Sequence, residues 1–252
     1  MIASFDLSFA AVDVLSQGLG INCRQFPFQI HSFGDHVADR LRLVGAVRDD
    51  LHRRGLARAG DLAPEVEQAL RVLAEPEVAI AVVGSSAATG PLHARASTAG
   101  RHAVLVTRVE QALRFEVLRP EAMVRAAAHL LPPAKAGPGQ SVSITRPRAA
   151  TAPDSVGAAH SVVRPPRTGA HAQEQAATRI LRRPRLGDGY FVVNRGRRRT
   201  QGLTWVDTDA GRYLGLSRTD QRGDTNVTYF PADSERVARK LGELVDELAQ
   251  AR

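Results

Sequence analysis

The spacing of apolar and polar positions changes period along the chain, and each change marks an element. Phe5–Leu7 reads as a short strand. Ser8 then suits the cap of a short helix with Phe9, Val12 and Leu15 on one face, stopping near Gly18 and Gly20. Phe26-Pro27-Phe28-Gln29-Ile30 alternates like an edge or bulged strand, because proline cannot donate to a ladder. Val37, Leu41, Val44, Val47 and Leu51 follow at spacings of 4, 3, 3 and 4, one apolar stripe of a helix. Arg53 and Arg54 suit its negative end and Gly55 its C-cap. Asp61 and Pro64 open another helix, with Leu62, Val66, Leu70 and Leu73 on its buried side.

After Pro76 the period falls to two. Val78–Val83, Pro91–Ser97, His102–Val109 and Leu113–Leu118 read as successive strands, broken at Gly84–Gly90, Ala99-Gly100 and Glu110-Gln111. Such close spacing predicts an antiparallel meander, which runs straight into a helix from Pro120 to Leu131. The last region repeats the order: a helix over Gln173–Leu181, strands at Tyr190–Asn194, Leu203–Asp207, Arg212–Ser217 and Thr225–Tyr229, and a closing helix over Asp233–Ala249. FEVLRPEAMVRAAAHL, from Phe115, and NVTYFPADSERVARKL, from Asn226, both read strand, proline, acid, amphipathic helix. The pattern predicts an α+β protein: two pseudo-symmetric halves, each a β-meander plus helix, around a central antiparallel sheet flanked by helices.

Charge separates the halves. The chain has 34 Lys+Arg against 26 Asp+Glu, net +8, and only Lys135 and Lys240 are lysines. Residues 1–132 carry 14 Arg and 14 acids, whereas residues 133–185 carry nine basic groups and only Asp154 and Glu174. The stretch from Pro132 to Arg167 is rich in Pro, Gly, Ala and Ser, and its one apolar cluster, Val142–Ile144, suits one short strand. It has too little apolar surface to offset its ordering entropy. The expected organisation is therefore an N-terminal half over 1–132, a basic linker over 133–170 and a C-terminal half over 171–252.

Cys23 is the only cysteine, which excludes an intramolecular disulfide and a thiolate zinc site. MIASFDLSFAAVDVL has no positive lead-in to an apolar run, so no secretory signal is expected. The longest uncharged run, Val78–Ala94, contains Gly84, Ser85, Ser86, Gly90 and Pro91 and does not suit a membrane span. The expected location is the cytoplasm.

Catalytic patterns are missing. There is no phosphate loop, no Gly-x-Ser-x-Gly elbow and no His-Glu-x-x-His, and Gly18-x-Gly20 precedes a strand rather than following one. His31, Asp35 and His36 lack a helical pairing and a third ligand partner. Asp207-Thr-Asp-Ala-Gly211 reads as a hairpin turn, and Cys23 as a small semi-buried residue. No enzyme, cofactor or metal site is expected. Arg195-Gly-Arg-Arg-Arg199, with the basic linker, carries an alternative function, contact with nucleic-acid phosphates, although no aromatic interleaves with the run. A solvated hairpin loop explains the same residues.

Two stretches resemble a known family. One runs from Asp13 to Leu73: DVLSQGLG, a Phe-Pro-Phe strand, a helix ending DDLHRRGLA, then DLAPEVEQALRVLAEPE. The other comprises RRPRLGDGYFVV, RGRRRTQGLTWVDTDAGRYLGL and FPADSERVARKLGELVDEL. With LLPPAKAGPGQSVSI between them, these resemble the EspG family of cytosolic proteins associated with ESX (type VII) secretion in actinobacteria. The resemblance covers most of the chain except about Thr145–Ala172. It implies an α+β fold with a pseudo-two-fold sheet, and a non-enzymatic chaperone that binds a PE–PPE heterodimer, or another helical ESX substrate, at its apolar tip. A surface of this kind needs apolar area with a polar rim. Three physical candidates for it stand in the sequence: Ser85, Ser86 and Thr89 in the Gly84–Gly90 loop; Trp205, Asp207 and Tyr213 on neighbouring strands; and Arg218 at the start of the Arg218–Asp224 loop. For the second, a core Trp205 beside a plain turn is the alternative.

Overall fold

A computed structural model describes residues 2–146, 175, 177–180, 182–200, 202–219 and 224–250. The N-terminal part opens with β1 (Ser4–Ser8) and α1 (Phe9–Leu19). The Ser8 side chain accepts from the Ala11 N–H at 3.1 Å, and Gly20 closes the helix in the left-handed conformation at φ 65°. α2 (Val37–Arg53), the short strands β2 (Ala57–Arg58) and β3 (Asp61–Leu62), and α3 (Pro64–Ala74) follow. The meander is β4 (Val78–Ser86), β5 (Gly90–Ala99), β6 (His102–Val109) and β7 (Ala112–Leu118). A 3-10 turn, Pro120–Ala122, leads into α4 (Met123–His129).

The second part contains β8 (Val142–Arg146), β9 (Arg185–Arg195), β10 (Arg198–Arg199), β11 (Leu203–Thr208), β12 (Gly211–Thr219), β13 (Thr225–Pro231) and α5 (Ser234–Gln250). Of the helix expected over Gln173–Leu181, residues 177–180 are helical, with Ala177 and Ile180 buried, and the rest lies largely outside the described residues.

All strands except β2 and β3 join one sheet, in the order β1-β7-β6-β5-β4-β9-β11-β12-β13-β8, with β10 paired to β9. Every pairing is antiparallel. The order reads alike from the middle outwards. In each half a four-strand meander starts at the centre, on β4 or β9, and the half's first strand, β1 or β8, pairs outside the last meander strand. β4 and β9 meet from Val78↔Arg195 to Ser86↔Gly187, and this pairing makes one sheet of two halves.

Alternation along each strand splits the core in two. Phe5, Leu7, Val104, Val106, Leu113 and Phe115 face α1, α2 and α3. On the other face Ile80, Val82, Phe191, Val193, Trp205 and Leu214 pack beneath α4 and α5. The stripe on α5 follows the expected spacing: Val237, Leu241 and Leu244 are buried.

Two local expectations fail. Phe26–Ile30 forms no strand. Phe28 and Ile30 are buried, but Phe26, which alternation would place beside them, is 51% exposed, and no ladder reaches this segment. The Phe26–Pro27 peptide is cis, Phe28 N–H bonds back to the Gln25 carbonyl at 2.8 Å, and Arg95 donates to the Phe26 carbonyl at 2.8 Å. Burial lowers the pKa of the Arg95 guanidinium to about 10. The apolar stripe of α2 also divides. Val47 and Leu51 are buried, whereas Val37 is 79% and Leu41 68% exposed, because the N-terminal half of α2 runs past the core.

Asp13, buried on α1, joins α1 to the segment before α2. It accepts from Arg24 at 2.8 Å, from Arg40 at 2.5 Å and from the Phe33 N–H at 3.2 Å. Burial alone would raise its pKa; the bonds from Arg24, Arg40 and Phe33 outweigh burial and hold the carboxyl below its ordinary value. Its folded pKa lies below its unfolded one. The resulting stability is therefore complete above the unfolded value and is lost as pH falls through the folded value. Asp13→Asn is expected to lower stability at neutral pH and to flatten its pH dependence below about pH 4. Urea unfolding across that range checks both effects.

Candidate partner-docking surface

β4 runs on to Ser86, so the expected Gly84–Gly90 loop shrinks to the turn at residues 87–89. Ser85 and Ser86 therefore stand on a strand and only Thr89 in the turn. The Ser86 hydroxyl accepts from the Ala88 N–H at 3.2 Å, and the Ala87 N–H bonds to the Leu186 carbonyl at 2.7 Å. The turn is thus fastened to the start of β9.

The register lays out the surface beside it. Val83 pairs with His93 on one side and Tyr190 on the other, and Tyr190 pairs with Thr204, so four residues form one cross-strand row. Ser85, Pro91 and Asp188 form the next row on the same face. Leu186, two residues before Asp188, is the extra residue of a bulge in β9, between Gly187↔Asp207 and Arg185↔Thr208, just beyond the second row. Leu186 is 49% exposed and Tyr190 36%. In the N-terminal half α1 to α3 cover this side of the sheet. In the segment leading into β9 the described helical residues are 175 and 177–180, and Leu186 and Tyr190 stay open. His93 is half-buried; burial and the nearby Arg108 push its pKa below the usual value. The result is an apolar strip rimmed by Ser85, Asp188 and Thr204.

The other candidates lie elsewhere. Trp205 and Tyr213 are not surface anchors, because both side chains are buried. The six-membered ring of the Trp205 indole sits against the paired glycines Gly84 and Gly189, where an added Cβ would collide with it. That absence of side chains lets an indole fit between the sheet and α4 and α5. Tyr213 packs over Gly137 and its hydroxyl donates to the Pro138 carbonyl at 2.8 Å. Burial is the chief cause of its raised pKa. Asp207 is also buried, holding the Arg212 guanidinium at 2.6 and 2.8 Å. The turn at residues 209–210 joins β11 to β12 as expected, and Thr208 closes it by donating to the Gly211 carbonyl at 2.8 Å. Arg218 is exposed and bonds to Glu247 at 3.1 Å, on the opposite face from Tyr190; residues 220–223 lie outside the described residues.

Leu186 was missed because Gly187 and Gly189 interrupt the apolar alternation on which strands are recognised. The remaining signal was Leu186-x-Asp188-x-Tyr190 itself, a strand in which Gly189 faces the Trp205 ring and Gly187 lies against Ser85 and Ser86. Arg197–Arg199 extend from a tight turn into β10 as an exposed hairpin. Cys23 is fully rather than partly buried; its thiol donates to the Leu70 carbonyl at 3.6 Å, and burial raises its pKa.

The model describing the EspG family matches residues 8–243. No curated protein matches the chain. Among solved structures the chain is similar to the Mycobacterium tuberculosis type VII secretion system chaperone EspG5, solved in complex with a PE25–PPE41 dimer. That likeness has a TM-score of 0.63 at 12% sequence identity and covers 96% of each chain. Among the described residues no helix is long and apolar enough to cross a membrane.

Proposed function

Because this chain belongs to the EspG family, we propose that it is a cytoplasmic, non-enzymatic chaperone of type VII secretion. It binds a PE–PPE heterodimer, or a helical substrate of that kind, and shields its apolar tip. The partner chemistry is carried over from the EspG5 complex. The observation that supports it in this chain is the open apolar strip of Val83, Leu186 and Tyr190 beside the β4–β5 turn, with Ser85, Thr89 and Asp188 around it. Trp205 and Asp207 support it from below, by fixing the strands that carry the strip.

A helical tip laid on this strip would bury Leu186 and Tyr190 from water. Apolar residues at the centre of an interface carry most of its free energy, and rim polar groups mainly set specificity. Leu186→Glu and Tyr190→Glu place a charge where that burial occurs. Each is expected to weaken the complex with a PE–PPE pair at least about tenfold, a loss of roughly 1.4 kcal/mol, while the thermal midpoint of the free chaperone stays within a few degrees. Calorimetric titration of the two variants checks this. Unchanged affinity in both would remove the strip from the interface.

A further inference from the structure

The opposite face of the sheet carries a groove that the proposed chaperone function does not use. It lies between α5 and the strands β12 and β13, with a volume of about 490 Å³. One wall is the polar side of α5. Arg236, Arg239 and Lys240 fall at i, i+3 and i+4 and so project together, and Arg218 adds a fourth cation from β12. The facing wall presents Ser141, Asn226 and Thr228, and the floor is Leu216 and Phe230.

Two of the four cations are paired within the protein and two are not. Glu243 is bonded to Lys240 at 2.7 Å and Glu247 to Arg218 at 3.1 Å. Among the described residues neither Arg236 nor Arg239 has a carboxylate within ion-pair distance. Arg236 stacks over the Phe230 ring at 5.1 Å, which holds its guanidinium above the apolar floor with its donors unspent. Two guanidinium forks on one helix face suit pairs of carboxylates bound side by side.

We propose that this groove is a second binding site, for an acidic extended segment of a partner protein. A phosphate group alone would leave Leu216 and Phe230 uncovered, and no glycine-rich run of backbone N–H groups lines the groove as phosphate cradles require. A short acidic segment with an apolar side chain uses both the cations and the floor. Leu216 pairs with Leu203 and Thr228, at the strand ends remote from the β4–β5 turn, and its side chain lies on the α5 face. The groove and the apolar strip therefore lie on opposite faces and can be filled together.

The test is fluorescence anisotropy of the full chain with a fluorescein-labelled oligoglutamate peptide ending in leucine. The peptide is expected to bind at low salt and to weaken as salt rises. Arg236→Ala/Arg239→Ala should weaken it about tenfold or more, with an unchanged thermal midpoint because both side chains are exposed. Arg197→Ala/Arg198→Ala removes the same charge from the β9–β10 hairpin and should have little effect. Three results would overturn the proposal: no peptide binding at low salt, equal losses in the two double variants, or tighter binding of a single-stranded oligonucleotide through Arg236 and Arg239. The PE–PPE titration reads the other surface, so either assignment can fail without the other.

Discussion

Asp207→Ala is expected to lower the stability of the free protein by about 3–5 kcal/mol. Arg212 has no exposed side-chain surface, and Asp207 is its only carboxylate among the described residues. The same guanidinium donates to the Pro132 carbonyl at 2.7 Å, so the pair also holds the chain leaving α4 against β12. Backbone bonds from Arg212 N–H to Lys135 and from Gly137 N–H to Arg212 continue the clamp. Removing the carboxylate leaves a cation with no exposed side-chain surface and no counter-charge beside it. Arg212→Met removes the cation as well, so the double variant should recover much of the loss, and the double-mutant cycle should be strongly non-additive. Urea unfolding with an unchanged denaturant slope is the measurement. A cost below about 1 kcal/mol for Asp207→Ala would mean the pair is solvated and the clamp reading is wrong.

Trp205→Ala is the second large effect, again about 3–5 kcal/mol, from lost burial plus the cavity left behind. The indole spans Gly189 and Gly84 and contacts Phe191 at a centroid distance of 5.1 Å, directly over the β4–β9 pairing. The reverse experiment fills the same space. Gly189→Ala drives a Cβ into the ring and the Val83 carbonyl, and the carbonyl cannot swing aside as a side-chain end can. Overpacking of this sort costs about 1–3 kcal/mol. Thermal unfolding of the two variants should show both destabilised, Trp205→Ala more so. A near-native midpoint for Trp205→Ala would contradict the packing described.

Much of this fold was legible in the sequence because its elements obey simple periods. The two meanders are runs of closely spaced short strands, Ser8 and Gly20 mark both ends of α1, and the repeated strand-proline-acid-helix junction points to two alike halves. Two local readings failed for one reason: periodicity reports what is apolar, not what is nearby. Phe26–Ile30 alternates but has no strand beside it, and Val37 and Leu41 continue a stripe beyond the core it serves. The candidate surface was harder still. Trp205 and Tyr213 have the size of interface anchors, but the alternative, a core Trp205 beside a plain turn, is the one that holds, because glycines on neighbouring strands and segments make room for both rings inside: Gly84 and Gly189 against the indole, Gly137 against the phenol. That pairing across distant parts of the chain has no local signature. Tyr190 opens the expected strand Tyr190–Asn194, whereas Leu186 is cut off from it by Gly187 and Gly189 and falls outside the alternating run.

The charge likewise took on a place. The basic excess belongs mostly to residues 133–185, most of which lie outside the described residues. The groove on α5 is cationic for another reason: Arg218, Arg236, Arg239 and Lys240 line it against one carboxylate, Glu243.

The most direct test of the chaperone assignment is co-expression of this chain with PE–PPE pairs encoded alongside it, followed by gel filtration of the purified chain. The account predicts co-elution of all three chains as one species that survives dilution. Elution of the chain alone, with every such pair, would contradict it.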